Sequence, residues 1–127
     1  CDIVSLHLPV TDETRGMIDE KLLRSMKPTA LFVNSARSAV VDTKALIKLL
    51  NDKAIAGAII DVLDTEPPTA EDLQIAYCPN TILTPHIGGS SFEVTVHQAD
   101  ILNERIRQWL KGENLERIVF NRAVLAK

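Results

Sequence analysis

Cysteine is nearly missing from this chain. Its two copies, Cys1 and Cys78, form neither a disulfide framework nor a metal pattern, because no second Cys or His lies at ligand spacing from either. Both read as reduced thiols. An excess of positive charge is also missing: 14 Lys and Arg against 17 Asp and Glu, scattered along the chain, give a formal charge of -3 and no basic stripe for nucleic-acid phosphates. No apolar run reaches membrane-spanning length, and the N-terminus has neither the basic start nor the hydrophobic stretch of a signal peptide. These absences argue against nucleic-acid and membrane partners and for a soluble, cytoplasmic protein. There is no initiating Met, no internal repeat and no low-complexity tract; opening on Cys1 and running at once into an apolar strand, the sequence reads as the interior of a longer protein. At 127 residues and 46% apolar composition, one modest core and one compact unit are expected.

Short apolar runs alternate with helical patterns, the signature of a parallel sheet covered by helices. Strands are expected at Ile3 to Leu8, Ala30 to Asn34, Ala56 to Val62 and Thr81 to Thr84. Asp19 is placed to cap a helix carrying Leu22, Leu23 and Met26, with Pro28 as its terminator. Asp42 or Thr43 can cap a second helix, in which Ala45, Leu46, Leu49 and Leu50 share one face. A third and longer helix has a capping box in Ser90 and Glu93 and a stop at Gly112. Its Leu102, Ile106 and Trp109 form a stripe that suits core packing or a dimer face.

The residues with chemistry gather at strand ends. His7 and Pro9 follow the first strand, Ser35 to Arg37 the second, Asp61 to Glu66 the third and His86 the fourth. Open parallel sheets bind ligands beyond the carboxyl ends of their strands, so four polar clusters at four such ends predict one shared cleft.

Four segments in register, CDIVSLHLP from Cys1, NSARSAVVD from Asn34, GAIIDVLDTEPP from Gly57 and TPHIGG from Thr84, resemble the D-isomer-specific 2-hydroxyacid dehydrogenases. That family includes phosphoglycerate, glycerate and D-lactate dehydrogenases. The resemblance implies an α/β fold: part of a doubly wound, mostly parallel Rossmann-type sheet with flanking helices. Residues 1–112 would be the C-terminal half of the dinucleotide-binding domain, and 113–127 a tail leading toward a substrate domain. It further implies NAD as cofactor, a small 2-hydroxy or 2-oxo acid as substrate, a homodimer for the full-length protein, and Arg37, Glu66 and His86 as the catalytic triad. Leu8, Thr14, Ser35, Ala36 and Arg37 match cofactor-contacting positions, as do His86 and Gly88, and Asp61 would accept from the nicotinamide carboxamide. One residue departs from the pattern: Ser38 stands where most members carry glycine.

The residue types suit the reaction. Hydride delivery to a 2-oxo carbon builds charge on the carbonyl oxygen, and an imidazole such as His86 can protonate it and take the proton back in reverse. Glu66, hydrogen-bonded to the other ring nitrogen, would orient the ring and favour its protonated form. Arg37 offers a planar fork of donors for the substrate carboxylate and carbonyl. His7 suits a structural role at the end of its strand, and His97 carries none. No G-x-G-x-x-G loop and no ribose-reading acidic residue are present, so the chain alone is expected not to turn over substrate. An NAD(H)-sensing corepressor-like scaffold on the same fold is the alternative reading, since such scaffolds keep the triad.

Overall fold

The computed structural model describes residues 1–113; the tail from 114 on lies outside the described residues. Its sheet has four short strands, β1 (Ile3–Leu6), β2 (Leu31–Asn34), β3 (Gly57–Ile60) and β4 (Thr81–Leu83), in the order β1-β2-β3-β4. All three pairings are parallel. Parallel neighbours need a crossover between them. Helix α1 (Glu20–Arg24) lies between β1 and β2, helix α2 (Thr43–Asn51) between β2 and β3, and a 3-10 helix (Asp72–Tyr77) between β3 and β4.

The helices start where short acidic side chains can satisfy their first amides. Asp19 accepts from the Leu22 amide at 2.8 Å and Asp42 from the Ala45 amide at 3.0 Å, so Asp42, not Thr43, is the cap of α2. Helices as short as α2 are marginal alone, and burial stabilises this one. Ala45, Leu46, Leu49 and Leu50 are all buried, packed in one cluster with Phe32, Ala58 and Ile60 of the sheet and Ile75 of the 3-10 helix. Each fully buried Leu contributes about 1.5–3 kcal/mol. The result is a firm floor beneath the strand ends.

Several expectations need correction. The strands are shorter than their apolar runs, because chain leaves the ladder before the hydrophobic pattern stops. Helix α1 ends at Arg24, well before Pro28: both the amide and the hydroxyl of Ser25 donate to the Leu22 carbonyl, at 3.0 and 2.6 Å, and close the last turn. The chain also forms two compact units, not one, dividing between Gly88 and Gly89. Asp61 holds the chain as far as the Gly88 amide, and Gly89 to Ser91 then run to the start of the next helix without entering a helix or strand.

The second unit contains α3 (Phe92–Leu110). Its cap is Ser91, whose hydroxyl accepts from the Val94 amide at 3.2 Å, so the cap lies one residue beyond Ser90 and the expected Ser90–Glu93 box is not formed, with Val94 rather than Glu93 three residues after the cap. Its end is a Schellman closure. Gly112 at φ 71° donates to the Trp109 carbonyl, and Glu113 donates to that of Gln108. Among the described residues no residue of α3 is buried, and Leu102, Ile106 and Trp109 are exposed. Among the described residues no helix is long and apolar enough to cross a membrane.

Candidate active site

The last residues of the four strands are register partners: Leu6 beside Asn34, Asn34 beside Ile60, Ile60 beside Leu83. His7–Leu8, Ser35–Arg37, Asp61–Glu66 and Thr84–His86 therefore leave the sheet along one edge, which is where the sequence places its polar clusters.

At β2, Asn34 is buried, and its amide shapes the turn that follows. Its oxygen accepts from the Ala36 amide at 3.0 Å and its nitrogen donates to the Arg37 carbonyl at 3.1 Å. A short side-chain amide can replace backbone partners in this way. Arg37 projects from the turn into solvent, with Nη1 donating to the Ala36 carbonyl at 2.6 Å. No carboxylate among the described residues pairs with its guanidinium, so the fork can meet an anion.

At β3, Asp61 is buried to 6% exposure and accepts three hydrogen bonds from the segment after β4. The Thr84 hydroxyl donates to Oδ1 at 2.5 Å, the Ile87 amide to Oδ1 at 2.9 Å, and the Gly88 amide to Oδ2 at 2.7 Å. A Cβ at Gly88 would lie 2.8 Å from Oδ2, so a side chain there would have to displace the Asp61 carboxylate or the segment it holds. Between these anchors His86 adopts φ 55°, a left-handed conformation that non-glycine residues rarely take and that surrounding contacts must hold. Its Nδ1 meets Glu66 Oε1 at 2.5 Å.

Burial pushes the Asp61 carboxyl up, but the Thr84 hydroxyl, the Gly88 and Ile87 amides and the nearby His86 outweigh it and hold it below the ordinary carboxylate value. A lowered folded-state value stabilises the fold above the ordinary carboxylate pKa, and that stability is lost as pH falls through the lowered value. Asp61→Asn should accordingly lower the urea midpoint near neutral pH, because an amide NH2 would face a donor at one of its two oxygens' positions. The gap from wild type should close in acid. Equal midpoints near neutrality would show that the carboxylate does not hold this segment.

Two recesses flank these residues. One, of about 540 Å³, is lined by His7, Leu8, Pro9, Val10, Ser35, Ala36 and Arg37. The other, of about 350 Å³, is walled by Leu63, Pro68, Leu73, Leu83 and Pro85, with Asp61, Glu66 and His86 among its polar groups. The structure thus brings Glu66 and His86 into contact and places Arg37 at the end of the neighbouring strand, in the other recess. Among the residues matched to cofactor contacts, Leu8, Ser35, Ala36 and Arg37 share the first recess. Thr14 does not line it; its hydroxyl donates to the Pro9 carbonyl at 2.7 Å and accepts from the Thr11 amide at 2.8 Å, closing its own loop. The Gly88 amide is likewise engaged, with Asp61. His7 is exposed, bonded to the Ser5 hydroxyl at 2.9 Å. Two residues that the sequence reading did not single out, Asn34 and Thr84, position the reactive segments. Their signal in the sequence is a hydrogen-bonding side chain directly after an apolar run.

The first recess thus pairs apolar residues, Leu8, Pro9 and Val10, with an arginine. Comparison with known proteins gives the family. Residues 1–88 match the family described as D-isomer specific 2-hydroxyacid dehydrogenase, NAD binding domain. A putative 2-hydroxyacid dehydrogenase, YoaD, of Bacillus subtilis is 46% identical over 88% of this chain and 32% of its own length. A glyoxylate reductase of Thermococcus litoralis is 45% identical over 88% of this chain and 33% of its own. The NAD-complexed D-isomer specific 2-hydroxyacid dehydrogenase of Lactobacillus delbrueckii ssp. bulgaricus superposes with a TM-score of 0.76 at 34% identity, over 89% of this chain and 38% of that one. The chain thus spans about a third of the length of the relatives it matches. It belongs to the D-isomer-specific 2-hydroxyacid dehydrogenases, with residues 1–88 matching their NAD-binding domain.

Proposed function

We propose that this chain is the catalytic C-terminal part of the NAD-binding domain of a dehydrogenase that interconverts a small 2-oxo acid and its D-2-hydroxyacid. The observation that carries the reading is the Glu66–His86 contact at the carboxyl edge of the sheet, one strand from an arginine with no carboxylate partner among the described residues. NAD(H) supplies or accepts the hydride when bound. Leu8, Ser35 and Ala36 would line its nicotinamide end. A carboxylate has about four lone-pair positions, and Asp61 uses three within the protein, which leaves Oδ2 able to accept from the carboxamide.

The chain's own residues do the rest. Arg37 holds the substrate carboxylate and directs a donor at the carbonyl, whose oxygen gains charge during reduction. His86, with Nδ1 engaged by Glu66, presents Nε2 to that oxygen and delivers the proton. In oxidation the same nitrogen removes the hydroxyl proton. Glu66 fixes the ring and stabilises the imidazolium. The pyrophosphate-binding glycine loop and the closing domain belong to other parts of the enzyme, so residues 1–127 alone should neither turn over nor bind NADH as the whole enzyme does.

The test is oxidation of NADH by the full-length protein with a panel of 2-oxo acids including glyoxylate and pyruvate. Turnover supports the proposal and separates it from an NAD(H)-sensing scaffold; a protein that binds NADH but reduces nothing in the panel refutes it. Within an active enzyme, Glu66→Gln should lower kcat by about 10- to 100-fold with the KM for the oxo acid changed less, since it removes charge behind the proton donor and leaves the arginine untouched. An unchanged kcat would show that Glu66 does not act through His86.

A further inference from the structure

Ser38 follows Arg37 directly. Its side chain does not face solvent freely. Ser38 is half-buried, and its hydroxyl donates to the Leu63 carbonyl at 3.0 Å, across 25 residues of sequence. Among the described residues this is the one side-chain hydrogen bond joining the segment that carries Arg37 to the segment that carries Glu66.

At their bases the two segments are joined by the β2–β3 ladder, whose last bond runs from the Asp61 amide to the Asn34 carbonyl at 2.9 Å; beyond it each has its own anchors. The Arg37 carbonyl is held by Asn34, and the Ser38 carbonyl accepts from the Val41 amide at 2.8 Å to close the short 3-10 turn Ser38–Val40. On the other side, the Thr65 hydroxyl donates to the Asp72 carboxylate, which also accepts from the Thr69 amide and hydroxyl, both at 2.7 Å. The residues leading into Glu66 are thus tied to Ser38 at Leu63 and to the 3-10 helix at Thr65. From Glu66 the register passes to His86 through their contact.

We infer that Ser38 is a positioning residue that sets Arg37 in register with the Glu66–His86 pair. This rests on the proposed dehydrogenase chemistry, in which the arginine fixes the carbonyl and the histidine must reach its oxygen. An offset of about 1 Å between the two groups is costly when substrate and proton donor are held by different segments. A residue without a side-chain hydroxyl or other donor at this position could not make the tie to the Leu63 carbonyl.

The test uses the full-length enzyme with Ser38→Ala, Ser38→Gly and Ser38→Thr, reading kcat and KM for the best 2-oxo acid, NADH affinity by fluorescence, and melting temperature. Loss of the hydroxyl should lower kcat by about three- to tenfold in both the alanine and the glycine variants, the scale of one lost hydrogen bond felt in the transition state. KM should change less and NADH affinity should hold. Threonine keeps an Oγ in reach and should restore kcat. A melting temperature that falls while kcat stays at the wild-type value would overturn the inference, as would a glycine variant as active as wild type. A full-length protein that reduces no 2-oxo acid would overturn the functional reading and the brace together, whereas an active enzyme indifferent to Ser38→Ala overturns the brace alone.

Discussion

His86→Ala in the full-length enzyme should lower kcat for 2-oxo acid reduction by about 10²- to 10⁴-fold while NADH affinity stays close to wild type. The magnitude is that of removing a positioned proton donor. In the transition state the carbonyl oxygen is becoming an alkoxide, and without the imidazole it must take its proton from water in a site that works by excluding water. The structure shows how much is invested in presenting this ring. The backbone at His86 is left-handed, Asp61 holds Thr84 on one side and Ile87 and Gly88 on the other, and Glu66 occupies Nδ1. The only ring nitrogen left to face a substrate is Nε2. Steady-state kinetics with a parallel fluorescence titration measures both quantities, and a variant with wild-type kcat would falsify the assignment.

The sheet itself was legible because β-strands and amphipathic helices leave periodic marks. The four apolar runs and the Ala45, Leu46, Leu49 and Leu50 face all correspond to observed elements. Their ends were less legible, since periodicity reports side-chain burial and not which amides enter the ladder. Leu8 continues the apolar run of β1, yet the strand stops at Leu6. Choosing between Ser90 and Ser91 as cap depends on backbone dihedrals, and Ser91, at φ -118° and ψ 157°, is the one in extended conformation. The two 3-10 helices carry no repeating pattern long enough to register.

Site residues divide in the same way. That Glu66 and His86 meet was expected from family resemblance, not from spacing, since they are 20 residues apart and only the fold brings them to 2.5 Å, while Arg37 lines the other recess. The supporting hydrogen bonds had no such guide. Asp61 grips residues 23, 26 and 27 positions away, and Ser38 reaches 25 positions to Leu63. Such partners are set by the parallel register of neighbouring strands, which turns residues one crossover apart into neighbours. Expecting one compact unit failed for a related reason: composition sets how much core a chain can build, and not where the chain divides.

The arginine provides the other large effect. Arg37→Ala in the full-length enzyme should reduce kcat/KM for the oxo acid by about 10²- to 10⁴-fold, the loss of two charge-assisted hydrogen bonds to a carboxylate and carbonyl. Arg37→Lys should recover only part of it. A lysine supplies a point charge without the planar fork, so the substrate carboxylate is attracted but not aligned, and the carbonyl is free to turn away from His86. The turn made by Asn34 should survive both changes, because its contacts go to the Arg37 carbonyl and the Ala36 amide and not to the arginine side chain. Loss of fold is therefore not the expected cause of any defect, and melting temperature checks this directly. NADH affinity should fall far less than substrate affinity. Guanidinium added to the alanine variant should restore a measurable part of the rate, since it can refill the vacated donor position; the lysine variant should gain little. An arginine that faced elsewhere would leave KM and kcat of both variants at wild-type values, and the recess at the ends of β1 and β2 would then have to bind its anion by some other group.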